Sequence, residues 1–147
     1  MHKYFIAALF LWFWTGCGLV GTEIGRIEIN EVGTTFHSTQ LAPDPTAPLE
    51  LWVELDLEFD EELMLYYTIE VWKDSVQISN QRLDGLNPNP RLKSVLTEVN
   101  GHTEWSFEGK VGEVDLLQKG TYEVRSYINA SDIPSLKLNK AHLVLRQ

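Results

Sequence analysis

Hydrophobic and polar residues alternate along most of the chain after residue 25. The clearest case runs from Leu49 to Phe59, where apolar residues take every second position and mostly acidic residues lie between them. Successive side chains of a β-strand point to opposite faces, so a period of two predicts a strand with one buried face. The segments 65–71 and 122–128 repeat this pattern, and no segment has a convincing helical period.

Turn signals separate these segments. Asn100-Gly101 predicts a hairpin, because a type I′ turn needs a positive φ at both central residues. Glycine and proline predict a loop at residues 83–91, and three prolines predict a long loop at residues 33–48. A parity slip between Leu138 and Leu143 indicates a β-bulge. The chain therefore predicts seven or eight short strands, in an all-β antiparallel sandwich or barrel over residues 26–147.

The segment "DLLQKGTYEVRSY" resembles the corner between strands E and F of immunoglobulin-like domains. Gly120, Tyr122 and Val124 match its spacing of glycine, tyrosine and a buried residue. The resemblance implies a two-sheet immunoglobulin-like sandwich in which the Tyr122 hydroxyl bonds to backbone a few residues upstream. Another two-sheet fold, such as a transthyretin-like sandwich, remains an alternative.

The N-terminus has the layout of a signal peptide. Lys3 precedes an apolar run from Tyr4 to Trp14, and the small residues Thr15 and Gly16 follow it. The apolar run is shorter than the roughly 20 residues that span a bilayer. We therefore expect residues 1–16 to be a cleaved signal peptide, with an uncleaved membrane anchor as the alternative.

The sequence "WTGC" at residues 14–17 resembles the lipobox of bacterial lipoproteins, although Trp14 stands where that motif usually has leucine. The resemblance implies that Cys17 is lipidated and becomes the mature N-terminus, so that the lipid anchor is the link to the membrane. Residues 17–25 then form the lipidated cysteine and a short glycine-containing tether. Because Gly18, and not aspartate, follows the cysteine, the resemblance favours the outer membrane within the cell envelope.

Composition excludes several kinds of protein. The formal net charge of −9, with no cluster of lysine and arginine, argues against nucleic acid as a partner. Cys17 is the only cysteine, which excludes an intramolecular disulfide, a cysteine-based zinc site and a CxxC redox motif.

The sequence offers little chemistry for catalysis. No histidine of the domain lies at metal-ligand spacing from another, and no nucleophile motif or phosphate-binding loop is present. The acidic run from Glu54 to Glu62 contains enough carboxylates for Ca²⁺, but alternation spreads the first of them along one strand face. We interpret the run as a solvated outer face. We expect no cofactor, no metal and no enzymatic activity.

Aromatic residues supply the candidate binding surface. Tyr66, Trp72 and Tyr127 have the parity of the outer face, on strands that neighbour each other in an immunoglobulin-like sheet. Outward aromatic residues are enriched at interfaces, although they also form cross-strand pairs that only stabilise a sheet. Trp52 also has outward parity, and we expect it on the other sheet.

These observations together predict a membrane-anchored, non-enzymatic binding or accessory module that contacts a protein partner in the cell envelope. The alternative is a carbohydrate-binding or peptidoglycan-binding module, because aromatic side chains stack on sugar rings.

Overall fold

The structure is a computed structural model that describes residues 20–147. Cys17 and the predicted signal peptide lie outside the described residues. The described residues form nine β-strands: β1 (Glu23–Glu28), β2 (His37–Leu41), β3 (Leu49–Phe59), β4 (Leu65–Lys73), β5 (Val76–Asp84), β6 (Arg91–Val99), β7 (His102–Val114), β8 (Tyr122–Ala130) and β9 (Lys137–Arg146).

The strands form two antiparallel sheets that pack face to face. Sheet 1 has the order β1-β9-β3-β7-β6, and sheet 2 has the order β2-β8-β4-β5. The predicted all-β, two-sheet sandwich is therefore confirmed. The number of strands is nine rather than seven or eight, because β2 lies inside the predicted loop 33–48. Its sequence, HSTQL, has no apolar alternation, and the strand forms by pairing with β8.

The core lies between the sheets and is built from the alternating positions. Along β3 the inward residues from Leu49 to Leu57 are buried, while Phe59 at the strand end is half-buried. The inward residues of β4 and β8 face them from sheet 2 and are also buried. The period of two therefore predicted correctly which residues of these three strands face the core.

The predicted turn and bulge are both present. Asn100 and Gly101 connect β6 to β7 with φ values of 51° and 81°, as a type I′ turn requires. The pairing of β3 with β9 shifts between Asp56 and Leu57, because Asn139 is an extra residue on β9. This bulge accounts for the parity slip in the sequence.

The topology shares part of the immunoglobulin pattern. The orders β3-β7-β6 and β8-β4-β5 correspond to strands B-E-D and F-C-C′ of that fold. The last strand, β9, lies beside β3 in sheet 1, whereas the last immunoglobulin strand pairs with strand F. The Tyr122 hydroxyl donates a hydrogen bond of 2.5 Å to the Gln118 carbonyl, as predicted for the corner tyrosine.

The ordered sheet begins earlier than residue 26. Glu23–Gly25, which were assigned to the tether, belong to β1, and backbone hydrogen bonds join Thr22 to Gln147 in both directions. The strand includes these residues because β9 extends far enough to pair with them. The last three residues of the predicted tether 17–25 therefore belong to the sheet.

The chain enters the sandwich at one end, which we call the proximal end. Glu23 begins β1 there and pairs with Arg146 at the end of β9. Val114 ends β7 at the same end, and residues 115–121 lead directly to Tyr122, which begins β8. The opposite, distal end carries the Asn100-Gly101 turn.

Candidate binding surface

Tyr66, Trp72 and Tyr127 lie on the outer face of sheet 2, as their parity predicted. Tyr66 and Trp72 are on β4, Tyr127 is on β8, and all three side chains are half-buried. The inward neighbours Tyr67 and Val71 are fully buried, which fixes the orientation of β4. The structure does not bring the three residues into one cluster, however.

Tyr66 and Tyr127 are diagonal neighbours across the pairing of β4 with β8. Thr68 is directly opposite Tyr127, which leaves Tyr66 two positions away, within the reach of aromatic rings. The Phe36 ring meets Tyr127 edge-on, with ring centroids 4.7 Å apart. The Arg82 guanidinium lies 4.4 Å from the centre of the Tyr66 ring. We call this group of four residues, Phe36, Tyr66, Arg82 and Tyr127, the aromatic patch.

Trp72 lies away from the aromatic patch, nearer the proximal end. It is six positions from Tyr66, which is about 20 Å along an extended strand. The three residues of the predicted binding surface therefore share one face without forming one cluster, and their role in binding stays a prediction.

Trp72 lines a separate cleft of about 350 Å³. Its indole N–H donates a hydrogen bond of 2.8 Å to Glu70, and the Arg125 guanidinium lies 4.9 Å from its ring. Arg125 in turn forms an ion pair of 2.9 Å with Glu123, which holds the pKa of that carboxyl below its usual value. We call this site the tryptophan cleft; its other lining residues are Gln40, Asp74, Ser75, Thr121 and Tyr122.

Sequence reasoning missed two members of the aromatic patch. Phe36 lies just before β2, in a segment that was predicted to be a loop, and the residue is 42% exposed. Arg82 lies on β5, which was predicted to end before it. No sequence signal identified Arg82, because it has the parity of Val76 and Ile78, and the register shift that separates Ile78 from the pairing of β4 with β5 is visible only in the structure.

Trp52 lies on the outer face of sheet 1, as predicted, but it is only 1% exposed. Its indole N–H donates a hydrogen bond of 2.9 Å to Glu50, and the Arg146 guanidinium lies 5.1 Å from its ring. Lys110 forms an ion pair of 3.1 Å with Glu50 beside it. Charged side chains therefore cover Trp52, and it is not available to a partner.

The acidic run forms the stripe that alternation predicted along β3. Glu54 accepts hydrogen bonds from Arg26, the shorter of 2.7 Å, and these hold the pKa of Glu54 below its usual value. Glu58 pairs with Lys137 at 2.9 Å. Most of this stripe is thus neutralised by neighbouring strands.

His102 is the histidine with the most acidic surroundings. Its Nδ1 lies 2.6 Å from Asp60, and this contact raises the pKa of His102. Glu58 and Glu104 are farther away, at 3.7 and 3.9 Å from Nε2. Among residues 20–147, no group of three or more histidine, cysteine and acidic residues has the arrangement to hold a metal ion. The described part of the chain also contains no helix long and apolar enough to cross a membrane.

Comparisons with known protein families, with curated proteins and with solved structures found no match to this chain.

Proposed function

We propose that this chain is a lipid-anchored lipoprotein of the cell envelope, most consistent with the outer membrane, which acts as a non-enzymatic binding module for a protein partner. The observation that carries the proposal is the aromatic patch. It presents three aromatic rings and an arginine beside one another on sheet 2, where Tyr66, Arg82 and Tyr127 lie on strands backed by the core and Phe36 immediately precedes β2.

The chemistry of the patch favours a protein ligand. Tyrosine, phenylalanine and arginine are enriched in the centres of protein interfaces, where they supply large contact areas with few rotatable bonds. The packing of Phe36 against Tyr127, and of Arg82 over Tyr66, orders these side chains before a partner arrives. Such preorganisation lowers the entropic cost of binding.

Site-specific photo-crosslinking in cells tests the proposal. A photoreactive amino acid replaces Asn80, which is exposed on β5 two residues from Arg82. The matched control replaces Thr97, which is exposed on β6, the edge strand of sheet 1. We expect a discrete crosslinked product from position 80 only, and its loss when Tyr66→Ala and Tyr127→Ala are combined. Equal products from both positions, or persistence of the product in the double variant, would contradict the proposal.

The anchor has its own test, the intact mass of the protein extracted from its native membrane. We expect a species that begins at residue 17 and carries added acyl mass, and we expect Cys17→Ser to lose it. A full-length or unacylated mass in the wild type would reject the lipoprotein assignment.

The tryptophan cleft favours carbohydrate, including peptidoglycan fragments, as a second candidate ligand. A sugar ring can stack one face on an indole while its hydroxyls bond to polar side chains, and Gln40, Glu123 and Arg125 surround Trp72 in this way. Titration with peptidoglycan fragments should then change tryptophan fluorescence in the wild type and not in Trp72→Phe. A response that survives in Trp72→Phe would exclude the cleft as the sugar site.

A further inference from the structure

The proximal end carries an exposed apolar group that the binding surface does not use. Val76 and Ile78 at the start of β5 are 62% and 43% exposed, and Leu117 in the connection between β7 and β8 is 90% exposed. These three side chains line one cleft of about 370 Å³. We call this group the apolar rim. Water is a poor environment for three apolar side chains placed together, so the rim is suited to contact another apolar phase.

The position of the rim relative to the start of the domain indicates what that phase is. Val76 begins β5 beside Lys73, which pairs with Tyr122 at the proximal end. Thr22 is fixed at the same end by its backbone hydrogen bonds to Gln147. Thr22 is five positions after Cys17, and an extended chain spans at most about 3.6 Å per residue. An acylated Cys17 would thus hold the proximal end within about 18 Å of the lipid.

We propose that the apolar rim of Val76, Ile78 and Leu117 lies in the headgroup and upper acyl region of the membrane that carries the anchor. This inference rests on the lipid anchor of the proposed function. Contact with the bilayer removes the rim from water, as for other interfacial apolar side chains. It also fixes the orientation of the sandwich. The proximal end faces the membrane, and the outer face of sheet 2 lies roughly perpendicular to the membrane plane.

The charges that line the cleft favour a zwitterionic lipid surface over an anionic one. Lys73 is paired with Asp74 at 2.6 Å, and Asp115 adds a further negative charge to the wall of the cleft. An acidic wall is repelled by anionic headgroups, and salt screens that repulsion. The partner is therefore a neutral lipid interface.

A fluorescent probe at the rim tests the contact on the membrane-extracted chain, reconstituted into phosphatidylcholine vesicles. Leu117→Cys carries an environment-sensitive dye. The matched control is Met64→Cys, because Met64 is an apolar residue, 57% exposed, just before β4 at the distal end. The same labelling of the wild type measures any free Cys17 thiol, and intact mass reports acylation on the same sample.

We expect the dye at position 117 to emit at shorter wavelength, to be quenched by nitroxide-bearing lipids, and to be protected from aqueous iodide. The dye at position 64 should emit at longer wavelength, escape quenching by the nitroxide-bearing lipids, and be accessible to iodide. An acylated chain whose dye at position 117 behaves like the dye at position 64 overturns the contact and leaves the anchor standing. Protection from iodide without quenching by lipid also overturns it, because a protein then covers the rim.

An intact mass without acyl groups rejects the lipid anchor instead. The contact between the rim and the membrane is then tested by a separate experiment. Cys17→Ser combined with Leu117→Cys is mixed with vesicles that contain the nitroxide lipid. Quenching at position 117 that is absent at position 64 supports the contact without the anchor, and no quenching at either position overturns it.

Discussion

Two tyrosines buried in the same core, Tyr67 and Tyr122, differ in what their hydroxyls contact. The Tyr122 hydroxyl donates to the Gln118 carbonyl, whereas the Tyr67 hydroxyl has no hydrogen-bond partner among the described residues. Burial raises the pKa of Tyr67, so its hydroxyl stays protonated and uncharged. A buried polar group without a partner destabilises the folded state, while a made hydrogen bond contributes about 1 kcal/mol.

The substitution of phenylalanine should therefore act in opposite directions at these two positions. We expect Tyr122→Phe to lower the free energy of unfolding by about 1 kcal/mol, and Tyr67→Phe to leave it unchanged or raise it by about 1 kcal/mol. Urea denaturation of both variants beside the wild type measures the difference. A loss of stability in Tyr67→Phe equal to that in Tyr122→Phe would mean that the Tyr67 hydroxyl is satisfied in solution.

Glu108 is the charged residue that the structure buries most deeply, with 6% exposure on the outer face of sheet 1. It pairs with Arg146, whose side chain is also largely buried, and with Lys93, whose side chain is 80% exposed. Loss of one partner from a buried ion pair leaves the other charge uncompensated, whereas an exposed pair contributes little.

We therefore expect Glu108→Gln to destabilise the domain by about 3 kcal/mol, and Lys93→Ala by less than about 1 kcal/mol. Thermal unfolding at low and high salt separates the two, because salt screens the exposed pair more strongly. Similar losses in both variants would show that the exposed pair carries the stability.

At the scale of elements, the β6–β7 hairpin depends on one glycine. Gly101 has a φ of +81°, while an added Cβ at Gly101 or at Gly33 would meet no atom within 4 Å. The two glycines therefore differ in backbone conformation and not in available space. A left-handed conformation costs a residue with a Cβ about 1 to 2 kcal/mol.

Gly101→Ala should accordingly destabilise the domain by about 1 kcal/mol, and Gly33→Ala should have almost no effect. Chemical denaturation measures both variants. If Gly33→Ala were the more damaging of the two, the left-handed turn would not be what requires glycine at position 101.

Strands in which apolar and polar residues alternate could be predicted from the sequence. Strands without this alternation could not be predicted. In β3, β4 and β8 the inward apolar positions are buried by the opposite sheet, apart from those at strand ends such as Phe59, so local pattern and tertiary structure agree. Strand β2 has one buried apolar residue, Leu41, and exists because the edge of β8 is available for pairing. Such pairing is a property of the assembled sheet and leaves no periodic signal.

The same limit explains the errors in the candidate site. Parity placed Trp52 on the outer face correctly, but it cannot show that Arg146, far along the chain, covers the indole. Parity also placed Tyr66, Trp72 and Tyr127 on one face. The six-position spacing of Tyr66 and Trp72 along β4 already sets them about 20 Å apart, whereas the place of Tyr127 beside Thr68 depends on strand register. Phe36 and Arg82 were missed because both lie in segments whose strands were predicted too short or not at all.

For the whole molecule, the two proposals use different regions of the sandwich. The apolar rim is at the proximal end, while the aromatic patch lies toward the distal end of sheet 2. A domain that rests on its proximal end would leave the patch free to meet a partner from the side. Loss of the rim should then change the orientation of the domain without changing the chemistry of the patch.

The response of the whole domain to acid should follow its paired carboxylates. The Arg26 hydrogen bonds hold the pKa values of Glu23 and Glu54 below the ordinary value of about 4.5, and the folded state therefore binds fewer protons there than the unfolded state. The stability that these pairs contribute is present above about pH 4.5 and is lost as the pH falls through the lowered values. The arginine that links β1 to β3 thus supports the fold at neutral pH and ceases to do so in acid.

Arg26→Gln should consequently be less stable than the wild type at neutral pH, and this difference should shrink as the pH falls below about 4.5. Arg82→Gln is the control, because Arg82 stacks on Tyr66 and forms no ion pair with the described residues. The difference in the free energy of unfolding between Arg82→Gln and the wild type should not depend on pH in the same range. Urea denaturation across this range measures both. If the difference for Arg26→Gln stayed constant into acid, the contribution of Arg26 would come from packing of its side chain and not from its charge.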